Sequence, residues 1–245
     1  MKVDPATQRR LLDLATVDGE LSRIVHRRGS LPEAQEAATA EQTRRASQEA
    51  VSAGETSASD LDREIRRLER DVDAVRDRGG RDRDLLAGSG VSAKQAVDLQ
   101  HELETLARRQ GVLEDELLEV LEQRESVGTE LDKARAELAT AEQALTEASD
   151  RRDAAMADLD AAEQDKSSER KVITAELPAE LISLYERIRA QGHAGAALLR
   201  RGACGGCRLD LDRTALGELR SAEPDEIVRC EECGSILVRT EESGL

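Results

Sequence analysis

Four cysteines close the chain in two short hooks, Cys204-x-x-Cys207 and Cys230-x-x-Cys233, separated by 22 residues, and there is no other cysteine. Two sulfurs of one tight turn can reach the same ion, so paired hooks have the spacing of a four-thiolate metal site. Gly205 and Gly206 lie inside the first hook and Gly234 follows the second. Glycine lets the backbone fold over a metal with its N–H groups turned toward the sulfurs. The expected cofactor is one structural Zn²⁺ held by Cys204, Cys207, Cys230 and Cys233. A Cys₄ shell leaves no open coordination position for a substrate, which argues for a binding module and against catalysis. A catalytic dithiol, a disulfide pair and an iron site are the competing readings of the same spacing.

The composition explains why a metal would help. The chain has no Phe, no Trp, a single tyrosine (Tyr185) and no Asn, while 38% of its residues are hydrophobic and 36% charged. Compact domains draw much of their buried area from large aromatic side chains, and these are missing. Ala, Leu, Glu and Arg dominate, as they do in long helices and coiled coils. The net charge of −16 makes the whole molecule a poor electrostatic attractor for nucleic acid or anionic membrane. No apolar run approaches the length of a membrane span, and the N-terminus lacks the apolar core of a secretion signal. A cytoplasmic protein is expected, a compartment where paired hooks hold metal more often than disulfides.

The elements that must carry the hooks are helical. From Leu99 to Ile173, steps of four and three residues run unbroken through two series. One contains Leu103, Leu117, Leu131, Leu138, Leu145, Leu159 and Ile173; the other contains Leu106, Leu113, Val120, Val127 and then alanines from Ala134 to Ala162. A seam sustained this long argues for a coiled coil. Ser92-Ala-Lys-Gln95 has the form of a capping box that would start this helix, which would then be roughly 120 Å long at 1.5 Å per residue. Upstream, Leu61, Ile65, Leu68, Val72 and Val75 keep the same step, and Gly29-Ser-Leu-Pro32 marks a kink, with Pro32 suited to a first helical turn.

The fold class expected is therefore mainly α: a long antiparallel helical hairpin, a coiled coil kinked near 29–32, with a small C-terminal Cys₄ zinc ribbon. The hairpin would occupy residues 1–175 with its tip at about 79–91, and a short helix plus the ribbon would occupy 176–245. A tip there pairs residue i with roughly residue 170 − i. Lys166 then falls near Asp4 and Arg152 near Asp18, and this complementarity favours pairing within one chain over a parallel dimer. Leu177-Pro178 interrupts the long helix, and Pro178–Arg189 reads as a short amphipathic helix. Gly192, Gly195 and Gly202 punctuate a linker, strands are expected at 226–229 and 235–240, and a helical turn at 214–219.

Arg200, Arg201 and Arg208 are the basic residues nearest the first hook and are the candidates for contact with RNA or a partner. From residue 195 onward seven arginines stand against ten acids, so any basic patch is local. The module has no aromatic residue on which bases could stack. The alternating charges of Arg76–Asp84 read as a solvated surface, with a docking point at the tip as the alternative. No Walker loop, G-x-S-x-G or H-E-x-x-H motif occurs, so no enzyme is expected.

The residues Leu181…Leu184-Tyr185-Glu186-Arg187-Ile188-Arg189, Cys204-Gly-Gly-Cys207-Arg208 and Asp225-Glu-Ile-Val-Arg229-Cys230-Glu-Glu-Cys233-Gly234, ending in Ile236-Leu237-Val238, resemble the bacterial C4-type zinc-ribbon proteins with a long N-terminal coiled coil. Leu99–Leu103 and Leu113–Glu116 add to the likeness. Many members carry arginine after the second hook's glycine, where this chain has Ser235. The resemblance implies zinc on the four cysteines. Its best-studied members are flagellar-assembly chaperones that bind a sigma factor through the coiled coil and a messenger RNA with help from the ribbon. The function expected is a non-enzymatic zinc-binding adaptor or chaperone that binds protein, with RNA as a further partner class. A redox-sensing zinc protein and a purely structural spacer are the alternatives.

Overall fold

The computed structural model describes residues 1–244 of the chain. Among them, helices α1 (Pro5–Gly29), α2 (Pro32–Ala87), α3 (Ala93–Ala175), α4 (Ala179–Ala190) and α5 (Arg213–Ser221) account for most of the residues. Four short strands, β1 (Ala196–Arg200), β2 (Ala203–Cys204), β3 (Val228–Arg229) and β4 (Ile236–Val238), and a 3-10 turn at Glu241–Ser243 complete the described fold. Two compact units form, one from Met1–Pro32 with Arg152–Leu245 and the other from Glu33–Arg151. None of the helices is long and apolar enough to cross a membrane.

The unit of residues 33–151 pairs α2 with the first two thirds of α3. The heptad seam lies where the sequence places it: both series of α3 are buried or half-buried, and the intervening residues are mainly exposed. Leu68, Val72 and Leu113 form its densest knot, with Val75, Leu117 and Val120 against them. Ion pairs flank the seam, Arg124 to Asp62 at 2.7 Å and Arg135 to Glu55 at 2.9 Å.

The register differs from the expected one. Gly54 lies against Leu131, where pairing i with 170 − i would give Glu116. The main cause is the tip. α2 continues through Gly79-Gly80 to Ala87, and only Gly88–Ser92 joins it to α3, instead of 79–91. Moving the centre of a hairpin by n residues moves every partner by 2n, so the move from 85 to 90 accounts for about ten of the fifteen positions between Glu116 and Leu131. Two glycines cost about 1 kcal/mol each in a helix interior, and continued packing outweighs that: Gly79 is buried, with room for only a Cβ before Leu103. Ser92 and Gln95 do form the capping box, Ser92 N–H donating to Gln95 Oε1 at 3.0 Å and Gln95 N–H to Ser92 Oγ at 3.4 Å.

In the other unit, α1 opens with Asp4 as its N-cap, the carboxylate accepting the N–H groups of Ala6 and Thr7. The expected pairs Lys166–Asp4 and Arg152–Asp18 do not form. Lys166 pairs with Glu20 and Glu169, and Arg152 with its neighbour Asp153. Pro32 starts α2 as its first residue, and the chain breaks at Ser30-Leu31 into two helices.

The stretch read as a glycine-punctuated linker holds a strand instead. β1 is central in a four-stranded sheet of order β2-β1-β4-β3. It runs parallel to β4, with Ala196 opposite Ile236 and Leu198 opposite Val238, and antiparallel to β2. Period-two alternation sends Ala196, Ile236 and Val238 into a core with Leu11, Leu14 and Val17 of α1 and Leu181, Tyr185 and Ile188 of α4. Ala197, Leu199 and Leu237 point the other way, into a second core with Leu211, Leu219 and three of the cysteines. Both faces are therefore covered, which is why β1 and β4 read as continuous apolar runs and not as alternations.

Candidate metal centre

Two hooks are brought together by the sheet. The first follows β2, which ends at Cys204, and the second lies between β3 and β4. Because β3 pairs antiparallel with β4, with Arg229 opposite Ile236, Cys230 and Cys233 stand in the loop that joins them.

All four Sγ atoms lie within 4.8 Å of one another. The close pairs run across the hooks: Cys204 to Cys233 at 3.8 Å and Cys207 to Cys230 at 3.9 Å. A tetrahedron with Zn–S bonds of about 2.3 Å has edges of about 3.8 Å. Bonded sulfurs would stand about 2 Å apart, and none of the four cysteines is in a disulfide. The donor set and its spacing fit a four-coordinate zinc ion.

The backbone supplies the second half of the site. Gly206 and Cys207 direct N–H groups at the Cys204 sulfur, Glu232 and Cys233 at the Cys230 sulfur, and Ser235 at the Cys233 sulfur. Such donors stabilise thiolate over thiol. At Gly205 a Cβ would stand 2.7 Å from the Leu198 carbonyl oxygen, so only glycine fits. Gly234, at φ +73°, takes the left-handed conformation that turns the second hook.

Burial opposes ionisation. It pushes the Cys204 thiol up to about 12 and raises Cys230 as well, with backbone N–H donors working against it. At Cys233 burial also raises the thiol, but its contacts with Ser235, the backbone N–H among them, and with the sulfurs of Cys230 and Cys207 outweigh it and hold the group at about 7. A divalent cation supplies the charge that four clustered thiolates require. Bound there, zinc supplies no open ligand position; it cross-links the two hooks and adds folding free energy to a core without aromatics.

Ser235 is fully buried. Its Oγ donates to the Ala194 carbonyl at 2.6 Å and sits 3.2 Å from Cys233 Sγ. An arginine at that position would have to leave this buried niche, so serine here belongs to the shell of the site. The candidate contact arginines are dispersed around the head. Arg200, at the end of β1, pairs with Glu242 at 3.3 Å. Arg201 and Arg208 are exposed and take positive φ of 51° and 64°. Arg208 N–H donates to the Cys204 carbonyl, closing the first hook.

A second polar centre was not foreseen in the sequence. Asp18 is buried, and its carboxylate accepts from Tyr185 O–H at 2.7 Å and Arg170 Nε at 2.7 Å, with Arg189 at 3.2 Å. Glu186 receives the other side of Arg170. A charged residue on the apolar face of α1 was the available signal: Asp18 falls one position after Val17 in the Leu11, Leu14, Val17 stripe.

Residues 14–193 match the CT398-like coiled coil hairpin domain, and residues 203–237 match the C4-type zinc ribbon domain. A Mycobacterium tuberculosis (strain H37Rv) protein is 45% identical over 248 residues, covering 98% of both chains. A solved Mycobacterium smegmatis structure superposes with a TM-score of 0.89 at 39% identity, over 98% of this chain and 100% of that one. CT398 of Chlamydia trachomatis shares the fold, with a TM-score of 0.73 at 17% identity over 96% and 98% of the two chains. The zinc head on a coiled-coil hairpin and these matches lead to one assignment: the chain belongs to the CT398-like coiled-coil hairpin family, with a C4-type zinc ribbon as its C-terminal module.

Proposed function

We propose that this protein is a non-enzymatic, cytoplasmic adaptor or chaperone. Its zinc is structural, held by Cys204, Cys207, Cys230 and Cys233, and its hairpin binds a protein client. The observation that carries the reading is on α3. Leu118 and Leu121, one helical turn apart and outside the two seam series, are 59% and 42% exposed. Exposed apolar side chains paired on the surface of a charge-rich coiled coil suit a protein surface better than a phosphate backbone. Arg200, Arg201 and Arg208 are assigned to a second contact, with RNA or a partner, at the zinc head.

Crosslinking and pull-down from native lysate, with and without nuclease, tests this. Proteins captured by the zinc-loaded chain should survive nuclease and be lost from a Leu118→Ser/Leu121→Ser variant. Partners that vanish with nuclease would contradict a protein client.

One observation favours a second reading as a redox-sensing zinc protein. Cys207 is only half-buried, while the other three thiols are buried, so one ligand is open to oxidants. Mild peroxide would then eject zinc reversibly and alter partner binding. Zinc that stays bound under peroxide sufficient to oxidise accessible thiols would rule this out.

A further inference from the structure

The unit that contains the zinc head has an open groove with a volume of about 630 Å³, between the first turns of α1, the C-terminal end of α5 and the segment after β4. Its charge is unlike that of the chain as a whole. Arg9, Arg220 and Arg239 line it, with Glu241 as the one carboxylate among the described lining residues, in a protein of net charge −16.

Among the described residues, none of the three guanidiniums is paired with a carboxylate. Arg239 spends its N–H groups on carbonyls, donating to Leu219, Ala222, Glu223 and Glu226 at 2.6–3.2 Å. Those bonds close off the end of α5 and fix the guanidinium in place, while no described carboxylate forms an ion pair with it. Arg9 and Arg220 are exposed and have neither hydrogen bond nor ion pair among the described residues. Between them the groove presents apolar surface from Pro5, Ala222 and Pro224, beside the polar side chains of Gln8 and Thr240.

The geometry points to a docking groove for an acidic, aliphatic peptide segment of a partner protein. Free guanidinium forks bind carboxylates in bidentate fashion, and Arg239 adds a fixed positive field that costs no side-chain ordering on binding. The apolar wall takes a neighbouring aliphatic side chain. The volume falls in the range of pockets that enclose small ligands and short segments. Single-stranded nucleic acid is the poorer occupant. It binds through aromatic stacking platforms as well as charge, and the one aromatic residue of this chain, Tyr185, is fully buried. The site is distinct from the arginines at the first hook, which do not line the groove.

The test uses zinc-loaded, full-length protein on an array of eight-residue peptides built from Asp, Glu, Leu, Ser, Gln and Lys. The strongest hit is then titrated by fluorescence anisotropy, with an oligouridine of similar length in parallel. Peptides combining two or more acidic residues with leucine should be enriched. Arg9→Glu/Arg220→Glu should weaken the hit at least tenfold, with unchanged zinc content and helical circular dichroism, while Arg200→Glu/Arg208→Glu should not weaken it. Replacing the peptide's Asp and Glu by Asn and Gln should abolish binding. The inference is overturned if no acidic class is enriched or if the Arg9/Arg220 reversal leaves the affinity unchanged. It is equally overturned if the reversal abolishes oligouridine binding but not peptide binding. Arg239 is left intact because its four bonds hold the end of α5.

Discussion

The phenolic O–H of Tyr185 on α4 donates to the buried carboxylate of Asp18 on α1, at 2.7 Å. Through Asp18 it joins Arg170 of α3 and Arg189, so three helices meet on one carboxylate. A buried charge is tolerable only when so paired. Tyr185→Phe would keep the ring against Gly195, where a Cβ would stand 2.4 Å from it, but would remove one of the donors. The expected cost is about 1–3 kcal/mol, measured by urea unfolding with unchanged zinc content.

The same bond sets an alkaline limit. Burial, then the hydrogen bond to Asp18, raises the Tyr185 phenol above its usual range. A raised folded-state value means the neutral phenol is favoured in the native state. Its stabilisation is complete below the unfolded value of about 10 and is lost as pH climbs past it. Tyr185 is the only tyrosine and there is no tryptophan, so tyrosinate absorbance reports this one group. It should rise only with unfolding, and the loss of stability above about pH 10 should be smaller in Tyr185→Phe.

Gly80 gives a direct check on the tip. It lies inside α2 with nothing within 4 Å of where a Cβ would be. In a helix interior Gly80→Ala should stabilise by about 0.5–1 kcal/mol. If residues 79–91 formed the turn instead, the same substitution would bring no such gain. Thermal unfolding distinguishes the two.

At the metal centre, Gly205→Ala would drive a Cβ into the Leu198 carbonyl. β1 and the first hook would have to separate, and zinc affinity should fall by at least tenfold in competition with a chelator. Cys204→Ser should be more severe, leaving a three-sulfur site in a buried core. Because ligand thiolates compete with protons, acidification should release the metal from the wild-type protein as well.

Much of this was legible from spacing alone. The seam of α3 could be read because a heptad repeat is a property of one helix, and the hooks because two cysteines three apart share a turn. The register was not legible, since it depends on where the hairpin turns. Gly79-Gly80 looks like a turn in sequence, yet packing against Leu103 keeps it helical. β1 was missed because Ala196–Leu199 is buried on both faces and shows no alternation, between glycines that resemble a linker. For Asp18 the sequence suggests Arg152 as a partner, but the actual ones, Arg170 and Tyr185, depend on the register and lie more than 150 residues away.

The measurement that bears most directly on the account is zinc stoichiometry with X-ray absorption at the zinc edge on full-length protein. One zinc per chain, surrounded by four sulfurs at about 2.3 Å, is the predicted result. A chain purified without metal and with its four thiols paired as disulfides would contradict it, as would a zinc ion held by oxygen or nitrogen ligands.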